Sequence, residues 1–436
     1  MKVWADRLIS NGSVTRGVLF DADPNGRVLT NQTGVVPPPD ALQLGVAVPG
    51  FANAHSHAFH RALRGRTHTA GNFWTWRETM YNAASRLTPQ NYERLATAVF
   101  TEMVSAGWTT VGEFHYVHHR TDGTPYRSHD MERAIATAAR GAGIRLVLLD
   151  TCYLAGGIGA PLSPEQERFG DGSASRWLDR WFSLRDALQD AGPTVTLGAA
   201  VHSVRAVPPE GMRTIAENLP VDVPLHVHLS EQVIENEQTH TVYGQTPTQV
   251  LADAGLLAPR LTVVHATHLG GSDISMLGVA GVGAVFCPTT EADLGDGIGP
   301  GRELADAGVR LAVGSDQNAV IDPWLELRGL EAGERLHSHE RGRFSPAELL
   351  ALGAASGYST LGLPAPAEPG GFLDLVEVTE ASERSAGTRW EELAMTATAA
   401  DVTRTVVGGV SVDVDRPALA AELRSSIAEL WGEIID

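Results

Sequence analysis

The chain is poor in cysteine: Cys152 and Cys287 are the only two in 436 residues, and they stand far apart in apolar, strand-like runs. This excludes a disulfide framework and any metal site built from several thiolates, and it predicts a reducing, cytoplasmic setting. Long apolar runs are missing as well. No stretch approaches the roughly 18 residues that a spanning helix needs, and the opening MKVWADRLISNGSV has no apolar leader core. The most apolar window, Met276 to Cys287, is broken by three glycines and reads as a helix end, a turn and a buried strand. Basic residues are outnumbered: 33 Lys plus Arg against 52 Asp plus Glu leave a net charge of −19, which opposes phosphate backbones and acidic membranes. Neither a nucleic acid nor a membrane is therefore expected as a partner. The signature of disorder is also absent, since 43% of residues are hydrophobic and 19% charged. The length suits one α/β barrel with an accessory domain.

Residues 1–48 read as short strands, with the turn signal Asp23-Pro24-Asn25-Gly26 joining two apolar runs. From Val46 apolar runs alternate with helical periodicity, as in parallel βα units. Eight strands follow: VAVPGFANAHSH, TTVGEFHYVHH, RLVLLDTCY, VTLGAAVHS, PLHVHLSE, LTVVHATHL, GAVFCPTT and RLAVGSDQN. Between them Tyr92, Leu95, Val99 and Met103 share a helix face, and Ser345-Pro346-Ala347-Glu348 has the form of a capping box. Asn53 to Thr88 and Gly156 to Ser175 read as long loops. Beyond Leu363 the linker PAPAEPGG leads to FLDLVEV and TRTVVGGVSVDV, strand-like segments that return to the N-terminal strands. The expected fold is α/β: a distorted (β/α)8 TIM barrel over 49–364, with a small β-sandwich built from 1–48 and 365–436.

In such a barrel the chemistry sits where the strands end at their carboxyl termini. His55 and His57 lie two apart on the first strand, so both face one way and can bind one ion. The fifth strand repeats the spacing with His226 and His228, followed by Glu231. His228, nearer the strand end, is the better ligand, and His226 could be a satisfied core histidine. His265 ends the sixth strand and Asp316 the eighth. Singly each has an ordinary structural reading, as a solvated histidine or a turn carboxylate. Together, imidazoles and a carboxylate on successive strand ends suit an open divalent-ion site with water in the remaining position. Water bound to such an ion ionises near neutral pH, which makes hydrolysis the default reaction. His115, His118 and His119 read instead as solvated loop histidines.

With the PGFANAHSH approach, these residues resemble the amidohydrolase superfamily over essentially the whole chain, most closely its cytosine-deaminase-like, single-metal branch. The lysine that bridges two metals in other members is missing after strand four, where AAVHSVRAV stands. HSHAFHRALRG, NFWTWRETMY, EFHYVHH, HSVRAV and HVHLSEQ together resemble the formimidoylglutamate deiminases of histidine degradation. That resemblance implies hydrolysis of N-formimino-L-glutamate to N-formyl-L-glutamate and ammonia. It further implies one divalent ion, zinc first among the candidates, held by His55, His57, His228 and Asp316. Glu231, His265 and Asp316 would be catalytic, and a homodimer is expected.

A dicarboxylate substrate needs cations and donors. Arg205, three residues after His202, and Arg77 in FWTWRETMY could form bidentate carboxylate bonds, and Tyr116 could donate another. Tyr116, His202, Arg77 and Arg205 are the expected substrate contacts. His60 stands where the family often has glutamine and is counted with them, since both side chains can hydrogen-bond a substrate. Trp74 and Trp76 are expected to wall the loop rather than touch substrate. Two other readings stay open: a related aminohydrolase acting on a guanidino acid or nucleobase, and a non-catalytic metal-binding or sensing protein.

Overall fold

The computed structural model describes residues 1–67 and 73–434, without the side chains of Phe73 and Trp74. Four N-terminal strands, β1 (Lys2–Ser10), β2 (Ser13–Ala22), β3 (Val28–Gln32) and β4 (Leu42–Pro49), share one sheet with β13 (Leu375–Val378), β14 (Val402–Val407) and β15 (Val410–Val412). The order is β15-β14-β13-β4-β1-β2-β3, so both ends of the chain build one mixed sheet. Asp23 organises the β2–β3 turn by accepting from the backbone N–H of Asn25 and Arg27.

Between these two groups lie eight parallel strands in sequential order: β5 (Phe51–Ser56), β6 (Trp108–His115), β7 (Arg145–Cys152), β8 (Val195–Ser203), β9 (Leu225–Leu229), β10 (Leu261–His265), β11 (Gly283–Phe286) and β12 (Arg310–Val313). β5, β6 and β7 are buried at every position, as expected of strands covered on both faces. Ala54, Val264, Val285, Cys287 and Ala312 form a small cluster inside the barrel, and helices cover its outside. No described helix is long and apolar enough to cross a membrane.

Three sequence expectations change in the structure. VAVPGFANAHSH is not one strand: Gly50 separates β4, in the mixed sheet, from β5, in the barrel, and its N–H is held by Asp374 O at 2.8 Å. The expected loop from Asn53 to Thr88 instead contains a 3₁₀ turn (Ala58–Leu63) and a helix, α1 (Phe73–Ser85). No glycine or proline interrupts α1, and Trp76, Met80, Ala83 and Ala84 recur at helical spacing toward the core. The C-terminal segment is strand-like only as far as Val412. Asp415 then caps a helix, Arg416–Trp431, whose Glu422 and Glu429 meet Arg94 on the helix α2 (Pro89–Ala106).

The mixed sheet is fastened to the barrel floor by a buried charge. Arg145, at the start of β7, is 1% exposed and reaches Asp374 at 3.3 Å. The same carboxylate accepts from Tyr358 Oη and from the backbone N–H of Gly408, both at 2.6 Å. Removing one partner of such a pair strands the other in low dielectric. Asp374→Ala is therefore expected to lower unfolding free energy by about 3–5 kcal/mol, read as a fall in the denaturant midpoint with the metal content of the native protein unchanged.

Candidate active site

The barrel closes at its functional end. Backbone N–H groups of Ser315 and Asp316 both donate to His55 O, at 3.1 and 3.0 Å, and His57 N–H donates to Asp316 O at 2.9 Å. A Cβ on Gly314 would lie 2.6 Å from His55 O, so only glycine lets the last strand approach this closely. Asn53, Ser315 and Asn318 lock the seam: Asn53 donates to Ser315 Oγ at 2.6 Å, Ser315 Oγ donates to Asn318 Oδ1 at 2.7 Å, and Asn318 Nδ2 donates to His57 O at 3.0 Å. Asp316 and His265 hold left-handed backbone conformations, with φ of +42° and +70°. Such strain in residues other than glycine persists only where surrounding structure imposes it.

The side chains converge as their strand positions predict. Asp316 Oδ1 lies 3.3 Å from His55 Nε2 and 3.4 Å from His57 Nε2, and His228 Nε2 lies 3.2 Å from His55 Nε2. His55, His57 and Asp316 form one group of close donors, and His55, His228 and His265 a second that shares His55. The tautomers decide what this cluster can hold. His57 Nδ1 faces Phe114 O at 2.8 Å and His228 Nδ1 faces His202 O at 2.9 Å. A carbonyl only accepts, so both rings carry their proton on Nδ1 and aim an Nε2 lone pair inward. Burial keeps these rings neutral, lowering His55 and His228 far below the usual histidine range and His57 to about 3. Neutral imidazoles, two of them with outer hydrogen bonds to carbonyls, beside a carboxylate are a fitting donor set for a divalent cation. His226 lies deeper, with Nε2 on Thr360 O at 2.9 Å, and is a core histidine outside the cluster.

Around this cluster is a cavity of about 210 Å³. His60, Arg77, Tyr116, His202 and Arg205, the expected substrate contacts, all line it, together with Glu231 and His265. His60 Nε2 and Tyr116 Oη pair at 2.9 Å. Trp76 also lines the cavity, with its ring 5.3 Å from that of His60. The side chain of Trp74 lies outside the described residues. Burial disfavours the charged form of His265, but its hydrogen bond to Glu291, which accepts, and the charges of Glu231, Asp316 and Glu291 outweigh it and push its pKa up to about 10. Glu291, 3.4 Å from His265 Nδ1, carries no signal in the sequence, because it belongs to the helix after β11 and meets His265 only through the fold. Glu235 was equally hidden. Arg205 bridges Glu231 and Glu235, each at 3.0 Å, so the arginine expected to await a substrate already has internal partners.

The histidines at the end of β6 and just beyond it correct the sequence reading. His115, His118 and His119 are at most 3% exposed, not solvated. His118 meets Glu132 at 2.8 Å and His119 meets Asp171 at 3.0 Å, while Arg180 joins Glu132, Asp150 and Asp171. Carboxylates from three separate segments make this burial tolerable, and nothing local in EFHYVHH announces them.

Comparison with known proteins agrees with this geometry. The model of the amidohydrolase family matches residues 46–412. The chain belongs to the amidohydrolase family. It is 39% identical to formimidoylglutamate deiminase of Pseudomonas aeruginosa, over 78% of this chain and 76% of that one. It is 28% identical to 8-oxoguanine deaminase of the same species, over 88% and 85%. A crystal structure of an amidohydrolase from Brucella melitensis superposes with a TM-score of 0.90 at 32% identity, covering 99% of both chains. The protein is thus a hydrolase of this family, which generally uses a divalent metal.

The two carboxyl-end rings and the core ring of β9 and β5 can be separated by experiment. His55→Ala and His228→Ala are expected to abolish binding of one divalent ion per chain, whereas His226→Gln keeps it, as read by metal-to-protein ratio after reconstitution and desalting.

Proposed function

We propose that this protein hydrolyses N-formimino-L-glutamate to N-formyl-L-glutamate and ammonia. The observation that carries the reading is the presence of two arginines, Arg77 and Arg205, in the wall of the histidine-lined cavity of a protein with net charge −19. A substrate with two carboxylates calls for two such cations. The 39% identity to a formimidoylglutamate deiminase supports the same substrate.

His55, His57, His228 and Asp316 would hold a divalent ion, zinc by the chemistry of the donor set, which supplies hydroxide at neutral pH when bound. Asp316 offers a carboxylate to take a proton from the attacking water. His265, with Nδ1 on Glu291 at 3.4 Å and Nε2 4.0 Å from Glu231, can donate a hydrogen bond where negative charge develops on the attacking oxygen. Water adds to the formimino carbon. Glu231 carries the second proton of the added water, released as its C–O bond becomes the carbonyl of the formyl product, to the terminal nitrogen, and with the first proton passed on from Asp316 that nitrogen leaves as ammonia as the C–N bond breaks. Arg77 and Arg205 hold the carboxylates, and His60, Tyr116 and His202 add contacts. The reduced, buried Cys152 and Cys287 favour a cytoplasmic protein, and we expect a homodimer in solution.

The aromatic lining by Trp76, Tyr116 and Tyr153, with the 8-oxoguanine deaminase likeness, favours one rival, a nucleobase aminohydrolase. Ammonia release from N-formimino-L-glutamate, abolished by chelation and restored by metal, is the deciding assay. Bound metal with release only from a nucleobase or guanidino acid would overturn the proposal. Glu231→Gln should retain metal and lose about 10²–10⁴-fold in turnover. Arg77→Met should raise KM for the dicarboxylate about tenfold or more, the worth of a charge-assisted hydrogen bond.

A further inference from the structure

Two phenols in the cavity wall have no part in the scheme above. Tyr81 comes from α1 and Tyr153 follows β7, and both line the cavity that holds Arg77 and Arg205. Gln166, 3% exposed in the irregular segment after β7, lies between them. Its Nε2 donates to Tyr81 Oη at 2.9 Å and to Tyr153 Oη at 2.8 Å, and its Oε1 accepts from Ser163 N–H at 2.9 Å. A primary amide has two N–H groups, so both are engaged by the phenols. Tyr81 Oη also accepts from Arg77 Nε at 2.5 Å.

These directions leave the phenol protons little choice. Gln166 Nε2 and Arg77 Nε are donors only, so neither phenol can donate back to them. Tyr153 packs its ring against His202, with centroids 4.5 Å apart. An oxygen that already accepts a hydrogen bond is also a better O–H donor, since hydrogen-bond chains polarise one another.

We propose that Tyr153 is a further substrate-binding residue that donates its hydroxyl proton to a carboxylate held by the cavity arginines, and that Gln166 is the positioning residue that sets this direction while bracing the Arg77–Tyr81 pair. The proposal rests on the dicarboxylate reading. It assigns the segment after β7 a part in substrate choice: through Gln166 the segment decides whether the phenols offer protons or lone pairs to the cavity. An anion needs the former, and a nucleobase edge could use either.

Two substitutions in the metal-loaded enzyme test this. Tyr153→Phe removes one hydroxyl and little else. Gln166→Glu keeps the acceptor for Ser163 N–H but replaces two donors by a carboxylate, which draws the phenol protons toward itself. Both should weaken glutarate binding by calorimetry about fivefold to tenfold, and raise KM for N-formimino-L-glutamate by more than they lower kcat. Thermal unfolding should stay close to that of the parent. If Gln166 only anchors its loop, Tyr153→Phe and Gln166→Glu bind glutarate as the parent does, and the proposal falls while the functional reading stands. If the parent enzyme binds neither glutarate nor N-formimino-L-glutamate, the functional reading falls and takes the proposal with it.

Discussion

The seam between β5 and β12 is the constraint on which the rest of the molecule depends. Closing an eight-stranded sheet brings the first and last strands together, and here they join through the backbone of residues whose side chains form the histidine–aspartate cluster. His55 O takes two N–H donors from Ser315 and Asp316, and His57 N–H returns one to Asp316 O. The left-handed turn at Asp316 follows from this pairing, because the chain must bend while keeping its carboxylate beside two imidazoles. Fold and site therefore share one set of hydrogen bonds. A change that opened the barrel would scatter the ligands, and a change at Gly314 would press on His55 before it touched any substrate.

Much of the fold was legible because parallel strands buried on both faces leave a local trace. Eight apolar runs ending in polar residues correspond to β5 through β12 in the order read, and the capping box at Ser345 is present with Glu348. The misreadings have local causes as well. The run through Gly50 is uniformly apolar, and composition cannot show that its halves pair with different sheets. FWTWRETMY is aromatic and polar by turns, and its helical spacing emerges only when Met80, Ala83 and Ala84 are taken with Trp76. The helix from Arg416 lay in a segment judged by its first strands alone.

The site divides along the same line. His55, His57, His228, His265 and Asp316 could be picked out because a repeating architecture tells where strand ends meet. Their supporting partners could not. Glu291 under His265, Glu235 beside Arg205, and Gln166 between two tyrosines are ordinary helix or loop residues in sequence, and their significance lies in what lies opposite them. The buried histidines at the end of β6 and just beyond it show the converse. A polar-looking stretch is interior because Glu132, Asp150, Asp171 and Arg180 arrive from elsewhere to satisfy it.

Charge explains why these hidden partners exist. Under the proposed function the cavity must attract anions within a strongly acidic chain, yet a guanidinium buried with nothing beside it would be costly. Arg205 resolves the conflict by resting on Glu231 and Glu235, so its charge is compensated before any ligand arrives. Under the proposed function, an incoming carboxylate competes with Glu231 for the same guanidinium. Binding thus alters the surroundings of the residue that must move a proton, and recognition of the distal acid becomes coupled to chemistry at the formimino carbon. A neutral substrate would leave the Arg205–Glu231 pair undisturbed, so the arrangement can favour an anionic substrate at the chemical step as well as on binding.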